Sequence, residues 1–361
     1  MKKVCFFGIY DRDYPRNKVL IMGLEQNGYE ISHCNVNPKK HKGFKKYWLL
    51  AKERFALKGK RSEFVVVAFP GHTCVWLARI LFPGTTIVFD VFLSLHEANV
   101  SDRKVHKARS LKGYRDYFLD WYGIRLADVV TMDTDTHLKV FQRKYGLNPD
   151  KGIRIFLSSA LPAIDADQLN NNNGKRADKF VVHFHGSFIP LHGVEFVVRA
   201  AKILEKEADI EFKLIGGGQQ LEKMKELAPS LSLTNVEFLG RLPEYSEVLK
   251  RLEAADIMLG VFGTSERTGW VITNKIFEGM AFGKAILSAD NPAMREIFTD
   301  RENIVFCRAG DPDDLAAKIL ELKQDPVLRQ KIGTKALEVF REKLSPEKLI
   351  HDFLVELHEK I

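Results

Sequence analysis

At 361 residues, with 45% hydrophobic side chains and 25 Phe, the chain is too long for one comfortable core and too apolar to be disordered, so two globular α/β domains are expected. The formal charge is +8, and the four cysteines (Cys5, Cys34, Cys74, Cys307) are scattered with no Cys-x-x-Cys pair, which points to a reduced cytoplasmic setting. No apolar run approaches the ~20 residues that span a bilayer. The opening MKKVCFFGIYDRD is too short in its apolar part for a signal peptide and reads as a first strand.

Taken in order, residues 3–8, 30–34, 64–69, 86–91, 128–132 and 153–156 are short β-rich runs, and 17–26, 76–81 and 136–145 carry helical periodicity. This is a βαβ series, hence a doubly wound parallel sheet. Arg16 opens the first helix and is a candidate for phosphate contact. Residues 38–61 hold ten Lys/Arg against a single Glu, and account for the whole excess charge. Tyr47, Trp48, Leu50, Phe55 and Leu57 interleave with that charge as on a basic amphipathic helix. Such a helix packs on its own domain, attaches to an anionic membrane surface, or meets nucleic acid; no nucleic-acid-binding motif accompanies it. Asp90 ends a buried-looking strand and His96 follows within one loop, and a charged side chain at a strand's carboxyl end is a site candidate. Residues 103–115 are again rich in Lys and Arg. Thr134 and Thr136 are placed to cap a helix, and His137 reads as local structure. Residues 161–179, polar and with four consecutive Asn, read as the linker between halves.

The pattern then restarts, with strands expected at 180–185, 210–215, 236–239, 257–261, 285–287 and 304–306. His183 and His185 share one strand face, where they pair on a metal or serve as structural histidines; no third ligand is evident, which favours structure. Gly216 to Gly218 form a glycine-rich strand-to-helix turn that is not a dinucleotide fingerprint. The stretch ADIMLGVFGTSERTGWVITNKIFEGMAFGKAILSAD organises this half. It reads as strand, loop, a helix over about 273–281, Gly283 as the stop, and a strand. A unit of that length implies parallel strands, with the loop 262–271 at the mouth of a site. Asn274, Lys275 and Glu278 address that loop, and a helix N-terminus suits phosphate. A carboxylate one turn further in suits paired sugar hydroxyls. Asp311 and Pro312 start a later helix, and helices over 326–340 and 346–359 finish the chain.

These residues carry a resemblance. NKIFEGMAFGKAILSAD is similar to the second half of the Glu-x7-Glu region of family 4 (group 1) retaining glycosyltransferases, in its Asn-Lys-x-x-Glu variant. Trp270 stands where the first Glu would be. The resemblance implies a GT-B fold: α/β, with two Rossmann-like doubly wound domains facing across a cleft. Its domains would be 1–165 for acceptor and 166–344 for nucleotide sugar, with a terminal helix, 345–361, crossing back. It further implies that Glu278 holds the ribose hydroxyls, with Asn274, Gly186, Gly269 and the backbone at Arg241 and Leu242 around the donor. In the Gly-Arg…Lys-Gly arrangement that grips a diphosphate, Ser187 and His192 occupy the basic positions, so the cations expected are Arg267 and Lys275, with Asp90 on the acceptor side. The expected activity is retaining transfer of a hexose or similar sugar from a UDP- or GDP-sugar to an acceptor hydroxyl in polysaccharide or glycolipid assembly, with no cofactor and no metal. The missing first Glu and basic pair also fit an inactive nucleotide-sugar-binding partner subunit. A metal-dependent single-domain transferase would use Asp-x-Asp, which Asp11–Asp13, Asp133–Asp135 and Asp165–Asp167 all spell, though only Asp133–Asp135 follows a strand.

Overall fold

A computed structural model of the chain describes residues 2–37, 40–41, 43–57, 61–164, 179–242 and 244–361. Most of the expected linker, the Asp165–Asp167 tripeptide and part of the 38–61 basic stretch (Pro38, Lys39, Lys42, Lys58, Gly59, Lys60) lie outside the described residues. Two compact units are present: Met1–Ala160 together with Leu344–Ile361, and Leu161–Lys343.

The first unit is built on a six-stranded parallel sheet, in the order β2-β1-β3-β4-β5-β6. Its strands are β1 (Lys2–Gly8), β2 (Tyr29–Asn35), β3 (Phe64–Val67), β4 (Thr86–Asp90), β5 (Val129–Met132) and β6 (Gly152–Arg154). The helices are α1 (Pro15–Gln26), α2 (Lys45–Ala56), α3 (Val75–Leu81), α4 (Leu111–Leu126) and α5 (Asp135–Tyr145). Central strands such as FVVV in β3 are buried along their whole length, as a sheet covered on both faces requires. One face buries Phe7, Val65, Phe89 and Phe141 under α2 to α5. The other buries Phe6, Phe64 and Val66 with Ile350, Phe353 and Leu357 of the chain's last helix (Pro346–Lys360). That helix approaches α1 closely: a Cβ on Gly23 would sit 2.4 Å from the Pro346 carbonyl oxygen. Ser345 caps it at Lys348 N–H, and Asn27 donates to the Glu347 carbonyl at 2.9 Å. Thr134 caps α5, accepting from His137 N–H.

The second unit repeats the plan with the strand order β12-β11-β10-β7-β8-β9. These are β7 (Phe180–Ser187), β8 (Ile210–Gly217), β9 (Val236–Gly240), β10 (Ile257–Leu259), β11 (Ala285–Ala289) and β12 (Val305–Cys307). Between and after them run α6 (Val194–Ile203), α7 (Leu221–Ser230), α8 (Tyr245–Ala254), α9 (Asn274–Ala281), α10 (Pro312–Gln324) and α11 (Pro326–Val339), with α12 the terminal helix already described. Asp311 caps α10 at Asp314 N–H, and Pro312 takes its first turn. From β7 the chain runs outward to β8 and β9, then crosses back to β10 on the other side of β7, so the strand order reverses there. That reversal opens a crevice at its carboxyl end, where ligands collect in open α/β sheets.

Candidate functional site

Along β7 the side chains alternate. Val182 and Phe184 enter the core of the second unit, while His183 and His185 take the other face. Helix α9 forms because Ile276, Phe277 and Met280 recur at helical spacing and are all fully buried, and this burial fixes which way its opposite side faces. The result is a chain of side chains ending on Glu278. His183 Nε2 and His185 Nδ1 are 2.9 Å apart, and His185 Nε2 is 2.6 Å from Glu278 Oε2. The other carboxylate oxygen accepts from the Tyr245 hydroxyl and from Asn274 Nδ2, each at 2.5 Å. An ionised carboxylate only accepts, so His185 donates to it through Nε2. Burial pushes the Glu278 carboxyl up, but the bond and charge of His185, the Tyr245 hydroxyl and nearby Lys275 outweigh it and hold the group below its ordinary range. Burial, then His185, Lys284 and Arg251, press His183 down to about 2, so its ring stays neutral.

Lys275, on the same helix, is buried at 4% exposure with its amino group 4.5 Å from the Phe184 ring centroid. That amino group has no hydrogen-bond partner among the described residues. Burial brings it down to about 7, against the pull of the Glu278 charge. It lies against Gly186, where a Cβ would come 2.9 Å from Lys275 Cε and 3.0 Å from Nζ, and where φ is +139°. Only glycine meets both conditions. His192 completes this corner: its Nδ1–H donates to the Ser187 carbonyl, and burial followed by the Lys275 charge keeps it well below the usual imidazole range. Arg267, 9% exposed on the short turn Glu266–Gly269, adds positive charge against His192. A cavity of about 260 Å³ opens beside these groups, with His185, Gly186, Ser187, Gly217, Arg241 and Tyr245 on its polar side and Ile215, Leu242 and Val248 on its apolar side.

Of the residues singled out in the sequence, Glu278, Asn274, Lys275, Gly186, Arg241 and Arg267 all fall in the second unit, with Asn274 bonded to Glu278 and Lys275 lying against Gly186. Arg241 lines the cavity with its side chain, Nε lying 3.0 Å from where a Cβ of Gly217 would be, and not through backbone alone. Gly269 closes the short turn and its carbonyl accepts from Ala293 N–H. Trp270 is 6% exposed. Tyr245 and His185 were not foreseen as partners of Glu278. The tyrosine is 33 residues away in sequence and the histidine 93, and no local pattern signals either contact.

The first unit holds Asp90 and Arg16, and the structure corrects the reading of the arginine. Arg16 is 0% exposed and is committed to Asp90 (Nη2 to Oδ1, 2.8 Å) and to the Ile155 and Phe156 carbonyls at 2.6 and 3.2 Å, so it is not available to phosphate. Asp90 also accepts from the Thr131 hydroxyl at 2.8 Å and is fully buried. His96 is part-buried, its Nδ1 3.6 Å from Glu97. Asp133 and Asp135 diverge: the former bonds His137 at 2.7 Å, the latter pairs with Arg154.

Residues 165–339 match the family described as Glycosyl transferases group 1. An uncharacterized glycosyltransferase of Methanocaldococcus jannaschii is 32% identical over 46% of this chain and 44% of its own length. A lipopolysaccharide core biosynthesis glycosyltransferase of Rhizobium meliloti is 29% identical over 51% of this chain and 50% of its own. N-acetyl-alpha-D-glucosaminyl L-malate synthase of Bacillus anthracis is 24% identical over 64% and 60%. The chain thus spans about half the length of the curated relatives it matches. Among solved structures, sucrose-phosphate synthase from Thermosynechococcus elongatus superposes with a TM-score of 0.75 at 13% identity, covering 100% of both chains. Anabaena HepE in complex with UDP and glucose gives 0.72 at 13% identity, covering 99% of this chain and 100% of its own. The fold these structures share with the chain is GT-B.

Proposed function

We propose that the chain is a retaining glycosyltransferase that moves a sugar from a UDP- or GDP-sugar to an acceptor hydroxyl in polysaccharide or glycolipid assembly. The observation that carries this reading is the buried, ionised Glu278, held by His185 and Tyr245, which with Gly186, the contact of Lys275, line the 260 Å³ cavity. On this reading Glu278 takes the ribose hydroxyls, with Tyr245 and Asn274 giving way as they arrive. The base lies against Ile215, Leu242 and Val248. Lys275, Arg267 and the N-terminus of α9 offset the diphosphate charge that grows as the sugar leaves. The acceptor oxygen bonds to the anomeric carbon on the face the phosphate leaves, and the acceptor proton passes to the departing phosphate oxygen. Fixed cations then do the charge work that a divalent metal does elsewhere, so transfer proceeds in EDTA. Asp90, held by Arg16 and Thr131, shapes the first unit, which takes the acceptor. A position at the inner face of a membrane, through the basic stretch 38–61, belongs to the same reading.

The test is a thermal-shift screen with UDP, GDP, ADP and their sugars in EDTA, wild type beside Glu278→Ala. A ligand at 100 times its Kd adds about 2.7 kcal/mol of stability. Stabilisation by one nucleotide family, lost in the variant, is the expected result. The anomeric configuration of the product, read by NMR, tests retention. Buried Trp270, in place of an acidic side chain, supports a second reading, an inactive nucleotide-sugar-binding subunit. Slow donor hydrolysis without acceptor is expected of the enzyme and not of that subunit.

A further inference from the structure

In the first unit, residues 97–120 sort their charges by sign. Glu97, Asp102, Asp116 and Asp120 are every acid in this stretch, and they are 2%, 1%, 0% and 0% exposed. They are used internally. Asp120 accepts from the Ser94 hydroxyl and from Leu95 and His96 N–H at 2.7 to 3.0 Å. Asp116 accepts from Asn99 and Arg115 at 2.8 Å and sits 2.7 Å from His106 Nδ1. Ser110 caps α4 at Gly113 N–H, and a Cβ on Gly113 would lie 2.5 Å from the Lys107 carbonyl oxygen, so the loop is pressed onto the helix's first turn. What this clamp turns outward is Arg103, Lys104, Lys107, Arg109, Lys112 and Arg115, all exposed. Between them stand apolar side chains no core has claimed: Val105 at 59%, Leu111 at 90%, Tyr114 at 61% and Phe118 at 51% exposure. α3 packs beside α4, and α2 beside α3, which extends the layer through Ile80 (64%), Trp48 (63%) and Phe44 (89%).

We propose that the face formed by residues 103–118 docks on an anionic lipid surface. Its aliphatic and aromatic side chains enter the headgroup layer while its lysines and arginines pair with lipid phosphates. Charge complementarity selects the partner's sign, since no acid of residues 97–120 reaches the outer surface. Leu111 and Val105 select a bilayer over a nucleic acid strand: bases stack on aromatic rings, whereas exposed aliphatic chains gain only from leaving water. The rigid clamp beneath means the face meets the surface without first being ordered, which lowers the entropic cost of docking. This contact is distinct from the 38–61 stretch and does not depend on the sugar-transfer reading.

The experiment is flotation of the full chain with phosphatidylcholine vesicles, with and without phosphatidylglycerol. Four proteins are compared: wild type, the two variants of this face (Lys107→Gln/Arg109→Gln/Lys112→Gln and Leu111→Ser), and Lys45→Gln/Lys46→Gln/Lys52→Gln in α2. Wild type is expected to float only with the anionic vesicles. At about 1 kcal/mol per basic residue, the triple variant of this face should partition roughly a hundredfold less. Leu111→Ser should lose roughly tenfold, from lost apolar burial. Both variants should melt as wild type does and keep any nucleotide-induced shift, which separates failure of the surface from failure of the fold or the donor site. Flotation undiminished in both variants but abolished by Lys45→Gln/Lys46→Gln/Lys52→Gln would move the contact to α2 and overturn the proposal. So would equal binding to neutral vesicles, or tight binding to single-stranded DNA with none to vesicles.

Discussion

Lys275 is the most informative single residue. A buried amino group without a hydrogen bond is costly to the free protein, and that cost is the ground for proposing that its place beside Glu278 and Gly186 is kept for an anion. The sign of the pH dependence follows. Its folded value of about 7 lies below the ordinary 10.5, so between them the unfolded chain carries a proton that the folded chain lacks. Stability of the free protein should therefore climb as pH rises from 7 towards 10.5. Nucleotide affinity should fall over the same window, because a bound diphosphate needs the charge restored. The groups facing the amino group are Glu278 and His192, with Arg267 and His185 beyond them. Lys275→Met should remove both slopes, raise the melting temperature of the free protein at pH 7, and weaken nucleotide binding about tenfold to a hundredfold, the loss of one charge-assisted bond. A variant that melts lower, yet binds nucleotide as wild type does, would reassign Lys275 to structure. Asp90 is assigned the opposite way. Breaking its buried pair through Asp90→Asn or Arg16→Met should cost about 3–5 kcal/mol in urea unfolding while sparing nucleotide affinity. Full stability with transfer abolished would return Asp90 to the chemistry.

At the scale of elements, the donor corner depends on two loops that meet backbone to backbone. Phe262 N–H donates to His192 C=O and Gly263 N–H to Leu191 C=O, at 3.1 and 3.2 Å. Gly193, at φ +61°, has no room for a Cβ, which would sit 2.5 Å from Gly263 N. Gly193→Ala should cost about 3 kcal/mol, strain and backbone clash together, read as a lower urea midpoint. Unchanged stability would mean the loops are not locked. The strands and the α9 unit were legible in the sequence because apolar runs and helical spacing are local signals. Helix α4 (Leu111–Leu126) was not, because its buried positions include Gly113 and Gly123, which have no side chain, and the polar Asp116 and Asp120, and together these hide the apolar period. Glu278 was legible through its spacing from Asn274 and Lys275, while its partners His185 and Tyr245 come together only when β7, α8 and α9 pack.

Across the whole molecule, the two units repeat one architecture but divide their polar side chains differently. The first buries Asp90, Asp116, Asp120 and Asp133 in structural bonds and, over residues 103–115, turns bases outward. The second buries a carboxylate, an amine and histidines next to a cavity lined by His185, Gly186 and Tyr245. That second arrangement is the central claim, and it rests on Glu278 reading ribose hydroxyls. The most direct measurement is a calorimetric cycle with the nucleoside diphosphate that binds best and its 2′,3′-dideoxy analogue, each titrated into wild type and Glu278→Gln. Removing the hydroxyls or the charge alone should each weaken binding about tenfold to a hundredfold, the range of a charge-assisted hydrogen bond. Removing both should cost little more than either, since they are two sides of one contact. Fully additive losses, or a dideoxy analogue that binds wild type undiminished, would contradict the account.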